Sequence, residues 1–163
     1  MKYLIYFIII ADFNYALVDW ADNGLPVRQG YHIEWYRGGD ISSDGQMIIV
    51  WSDTRTSTRD IYAQKVNSNG DILWDADGVL ISSGYGRQED PIFISDQDGG
   101  GYISWRSYHN DPVYGELYSQ YINADGNLQW QSDQLISGDI KIQIDSQQNM
   151  CSDRQGGVYI TWY

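Results

Sequence analysis

Few residues in this chain are of the types that carry chemistry most readily. His32 and His109 are its two histidines, and Cys151 is its one cysteine. The histidines stand in different sequence contexts, and neither begins a metal-binding spacing such as HExxH. A cysteine nucleophile needs a base beside it, and the histidine nearest Cys151 in sequence is His109. Aligning Ser152-Asp153 with Ser95-Asp96 puts Cys151 at the position of Ile94, which predicts a small buried strand residue. A single cysteine also excludes an internal disulfide.

Carboxylates are plentiful. Glu34, Glu89, Asp90 and Glu116 could supply the acid and base of a two-carboxylate glycosidase, but abundance is weak support and acidic residues near hairpins are usually solvated turn formers. Asp75-Ala76-Asp77-Gly78 and Asp96-Gln97-Asp98-Gly99 each set two hard oxygen ligands beside a glycine, as calcium loops do. Neither continues to a distal glutamate, and Asp-Gly is also an ordinary turn dipeptide. No catalytic, cofactor-binding or metal-binding residue is assigned on these grounds. The chain is expected to be no enzyme and to need no cofactor.

The elements that would position any site are read from internal repetition. Residues 60–74 (DIYAQKVNSNGDILW) and 116–130 (ELYSQYINADGNLQW) align without a gap. Trp20, Trp74 and Trp130 fall 54 and 56 residues apart, and Trp51, Trp105 and Trp162 fall 54 and 57 apart. The drift arises between Trp51 and Asp60 in one unit and Trp105 and Glu116 in the next, so that segment is a loop. GQMIIVW, GGGYISW and GGVYITW, ending at Trp51, Trp105 and Trp162, mark a strand. Ile49, Ile103 and Ile160 share the parity of the three tryptophans, and Val50, Ser104 and Thr161 take the other; this is strand periodicity, not helical spacing.

Each unit of about 55 residues reads as four short antiparallel strands. In the second unit these are expected over 91–95, 102–107, 117–123 and 127–130. Asn69-Gly70, Asp98-Gly99 and Asp125-Gly126 supply the positive φ of the connecting turns. The fold class is therefore all-β, a tandem of four-stranded meanders such as β-propeller blades are made of.

The pattern Trp51-Ser52-Asp53-Thr54-Arg55, followed by Asp60-Ile61-Tyr62-Ala63-Gln64 and then Asn67, Gly70 and Trp74, resembles the propeller-type repeats of large secreted bacterial proteins, many of them sorted to the cell surface. In the second unit Trp105 is followed by Arg106-Ser107-Tyr108-His109, without the Asp and Arg. Sialidase-like propellers carry Ser-x-Asp-x-Gly-x-Thr-Trp boxes, and the nearest stretch here, 123–130, lacks the Ser and the Thr. A closed propeller takes about four to eight blades. Residues 17–163 hold about two and a half units, with ends near Trp74 and Trp130 and the third incomplete, as expected of a fragment of a longer protein. An oligomer that completes the ring is the alternative.

Met1-Lys2, an apolar run over 4–10 and small residues at Ala11 and Ala16 have the three parts of a secretory signal peptide, expected over 1–16. The apolar run is far short of the roughly 20 residues of a membrane-spanning helix. Lys2 and Asp12 cancel, so the net charge of −12 survives cleavage. Such a chain repels phosphate backbones and anionic membranes, which disfavours nucleic acid and membrane as partners. The sequence thus points to a secreted or cell-surface, non-catalytic module meeting an extracellular protein or glycan, further repeats, or copies of itself. The alternative is a piece of a propeller glycan hydrolase whose catalytic blades lie elsewhere.

Overall fold

The computed structural model describes Val27 and residues 34–84, 86–109, 111–138, 140–143 and 147–163. The signal peptide expected over 1–16, Trp20 and His32 lie outside the described residues. The described chain is all-β, without a helix. β1 (Glu34–Ile41), β2 (Met47–Asp53), β3 (Asp60–Val66) and β4 (Val79–Ser82) form one antiparallel sheet in that order. β5 (Gln88–Ser95), β6 (Gly101–Ser107), β7 (Tyr114–Ile122) and β8 (Gln134–Leu135) form a second in the same order, with β9 (Ile142–Gln143) also paired to β7. β10 (Gln148–Ser152) and β11 (Val158–Trp162) make a hairpin.

Three turns at matched positions close in the same way: the backbone N–H of Ser42, Asp96 and Asp153 donates to the carbonyl of Gln46, Gly100 and Gly157 at 2.8, 3.1 and 2.9 Å. Gly99 and Gly126 take φ of 89° and 83°, the left-handed conformation that their Asp-Gly dipeptides predict.

The fourth strand departs from expectation. The sequence pattern predicts it over 127–130, but β8 starts four residues beyond Trp130, and β4 likewise follows Trp74. Glutamine side chains are the cause. Gln120 Oε1 accepts the Trp130 N–H at 3.1 Å while its Nε2 donates to the Trp130 carbonyl at 3.2 Å. Gln64 Oε1 accepts the Trp74 N–H at 3.1 Å, and its Nε2 donates to the Asp75 carbonyl at 2.6 Å. The amide takes the place of a neighbouring strand's backbone, so the segment around each tryptophan is bonded without joining the ladder. Its link to the sheet is a single bridge, Val66 with Ile72 and Ile122 with Leu128.

Both faces of β2 are buried, which explains the unbroken apolar run Ile48-Ile49-Val50-Trp51. Ile49, Trp51, Tyr62 and Val66 pack together with Val27 on one face. Ile48, Val50, Ile61 and Ala63, from the opposite face, pack against Phe93, Ile103, Trp105 and Ile122 of the second sheet. The tryptophan-bearing face of the second sheet therefore meets the other face of the first. The next contact repeats the pairing, since Ser104 and Tyr102, on the second sheet's remaining face, bond Gln148 Oε1 at 3.1 Å and the Gly156 carbonyl at 2.8 Å.

Cys151 is exposed, contrary to its expected burial. Ile94, its aligned counterpart, shares a face with Tyr102 and Ser104 that β10 and the turn at Gly156 pack against. The corresponding face of the hairpin, with Cys151 opposite Tyr159, has no further sheet over it among the described residues, and Tyr159 is 64% exposed.

Candidate functional site

Where β6 leaves the second sheet, Ser107 pairs with Gln88 of β5 on one side and Glu116 of β7 on the other. Strand pairing thus fixes three polar side chains in one layer. The loop beyond carries His109, whose Nδ1 lies 3.0 Å from Ser107 Oγ and whose Nε2 lies 3.5 Å from Glu116 Oε2. Lys141 Nζ approaches the other carboxylate oxygen, Oε1, at 2.6 Å. The His109 ring stands edge-on to Tyr118 with centroids 5.8 Å apart. Tyr118 OH donates to Glu116 Oε2 at 3.4 Å; burial, and then the Glu116 charge, raise its pKa above the usual tyrosine value.

Of these groups Ser107, His109 and Tyr118 line a cleft of about 220 Å³, together with Gln88, Asp133 and the segment Ser82-Ser83-Gly84. Trp105 Nε1–H donates to Gln88 Oε1 at 3.0 Å, which fixes the orientation of that amide. On the far wall Ser82 Oγ donates to Asp133 Oδ2 at 2.6 Å, and Gln120 Nε2 donates to Asp133 Oδ1 at 3.3 Å. Burial raises the Asp133 pKa above its ordinary value, and those two hydrogen bonds only partly oppose the shift.

At the aligned positions of the first sheet the chemistry differs. Asp53 stands where Ser107 does and Arg55 where His109 does, each pair two and four residues past its tryptophan. Arg55 Nη2 bonds Asp53 Oδ2 at 2.5 Å, and Trp51 Nε1–H donates to the same oxygen at 3.1 Å. Burial works to raise the Asp53 pKa, but the Arg55 and Trp51 bonds outweigh it and hold the carboxyl below its usual range. An ion pair in one sheet is thus a serine–histidine pair in the next.

The other residues singled out in the sequence are not brought together. Glu89 is ion-paired with Arg59 and with Arg87, whose Nε is at 3.2 Å, and Asp90 is paired with Arg106. Glu116 is 9% exposed, so it is a buried, paired group and not a solvated turn former. Glu34 stands at the start of β1. Of the calcium-like stretches, Asp96 Oδ1 accepts the N–H groups of Asp98 and Gly100, and its Oδ2 accepts the Tyr121 hydroxyl at 2.5 Å, which raises the Tyr121 pKa. Asp75 and Asp77 are exposed, and their carbonyls accept from Gly78 N–H and Arg55 Nη1. Among the described residues no group of three or more His, Cys, Asp or Glu is placed to hold a metal.

Ser107, Gln88, Ser82 and Asp133 are the members of the cleft that sequence reasoning did not single out. The available signal was the mismatch between the two aligned segments, where Asp53 and Arg55 give way to Ser107 and His109. In comparisons with known proteins the chain matches no family model, no curated protein and no solved structure.

Proposed function

We propose that this chain is a propeller-type β-repeat module of a secreted or cell-surface protein, and that its role is binding to an extracellular protein or glycan. The observation that carries the propeller reading is the stacking of unlike faces: Trp105 and Ile103 meet Val50 and Ile48, and the hairpin continues on the Ser104 face. A contact between unlike faces does not close on itself as a two-fold pair does. It propagates, and with rotation it gives a ring of blades. The exposed face of Cys151 and Tyr159 fits the addition of a further like unit, from the same polypeptide or another copy. The signal-like residues 1–16 support export, and the charge of −12 disfavours nucleic acid and anionic membrane.

Glycoside hydrolysis, the second reading, finds less support. It asks for a carboxylic acid and a carboxylate set across a glycosidic bond, with the acid's pKa raised. Glu89 is ion-paired with Arg59 and Arg87, and Glu116 with Lys141, so each carboxylate is already engaged by a cation of the chain itself. A glycan array and a panel of chromogenic glycosides, sialosides included, test both readings on one preparation. Binding without turnover is expected. Glycoside turnover abolished by Glu89→Gln or Glu116→Gln would overturn the binding reading in favour of the hydrolase.

A further inference from the structure

We propose that Ser107, His109 and Glu116 form a nucleophile–base–carboxylate relay that hydrolyses short carboxylic esters in the cleft between Gln88, Ser82 and Asp133. The inference rests on the cleft alone and holds whether or not the sheets belong to a ring. It departs from the non-catalytic expectation, which found no catalytic spacing around either histidine or Cys151, because Ser107 and Glu116 meet His109 only through strand pairing.

The order of contacts sets the roles. Glu116 beside Nε2 favours the tautomer with its proton on that nitrogen, so Nδ1 faces Ser107 Oγ at 3.0 Å as the acceptor. Lys141 holds the opposite carboxylate oxygen, and the Glu116 carboxylate stands beside Nε2, where it stabilises the imidazolium once it forms. Gln88 lies directly across from Ser107, and Trp105 occupies its amide oxygen, which leaves the –NH2 end as a donor for the oxyanion. The first sheet cannot do this chemistry. Its Asp53 has no proton to lose at neutral pH, and its Arg55 stays protonated and cannot act as a base.

In the reaction Ser107 Oγ attacks the ester carbonyl carbon as its proton passes to His109 Nδ1. The tetrahedral intermediate collapses, the bond from carbon to the alcohol oxygen breaks, and the alcohol leaves with the proton from His109. Water then attacks the acyl-serine, gives one proton to His109, and releases the carboxylic acid as Ser107 regains its proton. A cleft of about 220 Å³ is smaller than the usual drug-sized pocket, which fits a short acyl group. The 3.5 Å spacing of His109 and Glu116 is loose for a hydrogen bond, which suits an ester over an amide with its poorer leaving group.

Two measurements on the full chain test the proposal: labelling by a fluorophosphonate probe with mass spectrometry of the modified peptide, and hydrolysis of p-nitrophenyl acetate. Label on Ser107 is expected, with kcat/KM falling at least about a hundredfold in Ser107→Ala and in His109→Gln. Cys151→Ser should keep the parent rate, which separates the relay from an exposed thiol. A folded parent that takes no label, label on another residue, or a folded Ser107→Ala that hydrolyses at the parent rate overturns the proposal. If Ser107→Ala fails to fold, the position of the label on the parent protein decides.

Discussion

His109 lies against the ring of Tyr118 where Arg55 lies against the ring of Tyr62. The Arg55 guanidinium carbon is 3.7 Å from the Tyr62 centroid, and the His109 ring is 5.8 Å from that of Tyr118. Each also bonds the residue two positions before it, Asp53 or Ser107. The two sheets keep a cation-capable side chain against a cross-strand tyrosine, over the ring for Arg55 and edge-on for His109, and change the chemistry of the pair that makes it.

Exchanging the pairs tests that equivalence. Ser107→Asp alone places a second carboxylate in a buried layer beside Glu116 and should cost about 2 kcal/mol in urea unfolding. Adding His109→Arg supplies the partner that Asp53 has and should restore at least half of the loss. The coupling expected for residues in direct contact is about 0.5–3 kcal/mol. Strictly additive losses would show that the second sheet cannot accept the first sheet's pair.

Gln120→Ala removes the acceptor of the Tyr121 and Trp130 N–H groups and the donor to the Trp130 carbonyl. At about 0.5–1.5 kcal/mol net per hydrogen bond, losing these three should cost about 1.5–4.5 kcal/mol. Hydrogen exchange should show the Trp130 amide deprotected while the β6 amides remain protected. Gln129→Ala, at an exposed position of the same segment, should leave stability unchanged.

Trp105 is 0% exposed at the centre of the core between the sheets. Trp105→Ala should destabilise the fold by about 3–5 kcal/mol, the usual cost of deleting a large buried aromatic. Trp130, half-buried, should lose less than half as much when changed to Ala. Equal losses in chemical denaturation would show that the two tryptophan series do the same work.

Two carboxylates should respond to pH in opposite senses. The folded-state pKa of Asp53 is lowered from 3.8, so its stabilising contribution is present above that value and is lost as pH falls through the folded pKa. Asp53→Asn should therefore cost about 1–3 kcal/mol at pH 7 and progressively less below pH 3.8. The folded-state pKa of Asp133 is raised from 3.8, so its protonated form is favoured by folding, and stability falls as pH rises through the folded pKa. Asp133→Asn should raise Tm at pH 7, and the gain should vanish below pH 3.8. Thermal melts across pH 3–8 read both effects.

The strands and turns were legible in the sequence because their causes are local. Period-two parity put Ile49 and Trp51 on one face, and Asp98-Gly99 and Asp125-Gly126 carry the φ their turns need within two residues. The position of the fourth strand was not legible, because it is set by Gln64 and Gln120, whose side chains hold backbone ten residues downstream. Cys151 is exposed for a related reason: parity fixes the face it is on, but burial depends on whether another sheet covers that face. The cleft lay furthest from view. His109 could be named as a residue able to move protons, yet Ser82, Gln88 and Asp133 come from separate segments and meet it only because two sheets stack unlike faces and β8 follows the clipped tryptophan. Sequence alone settled which residues alternate and where the chain turns, since those depend on near neighbours. Tertiary structure decided which of them share a site, since that depends on contacts between residues far apart in the chain.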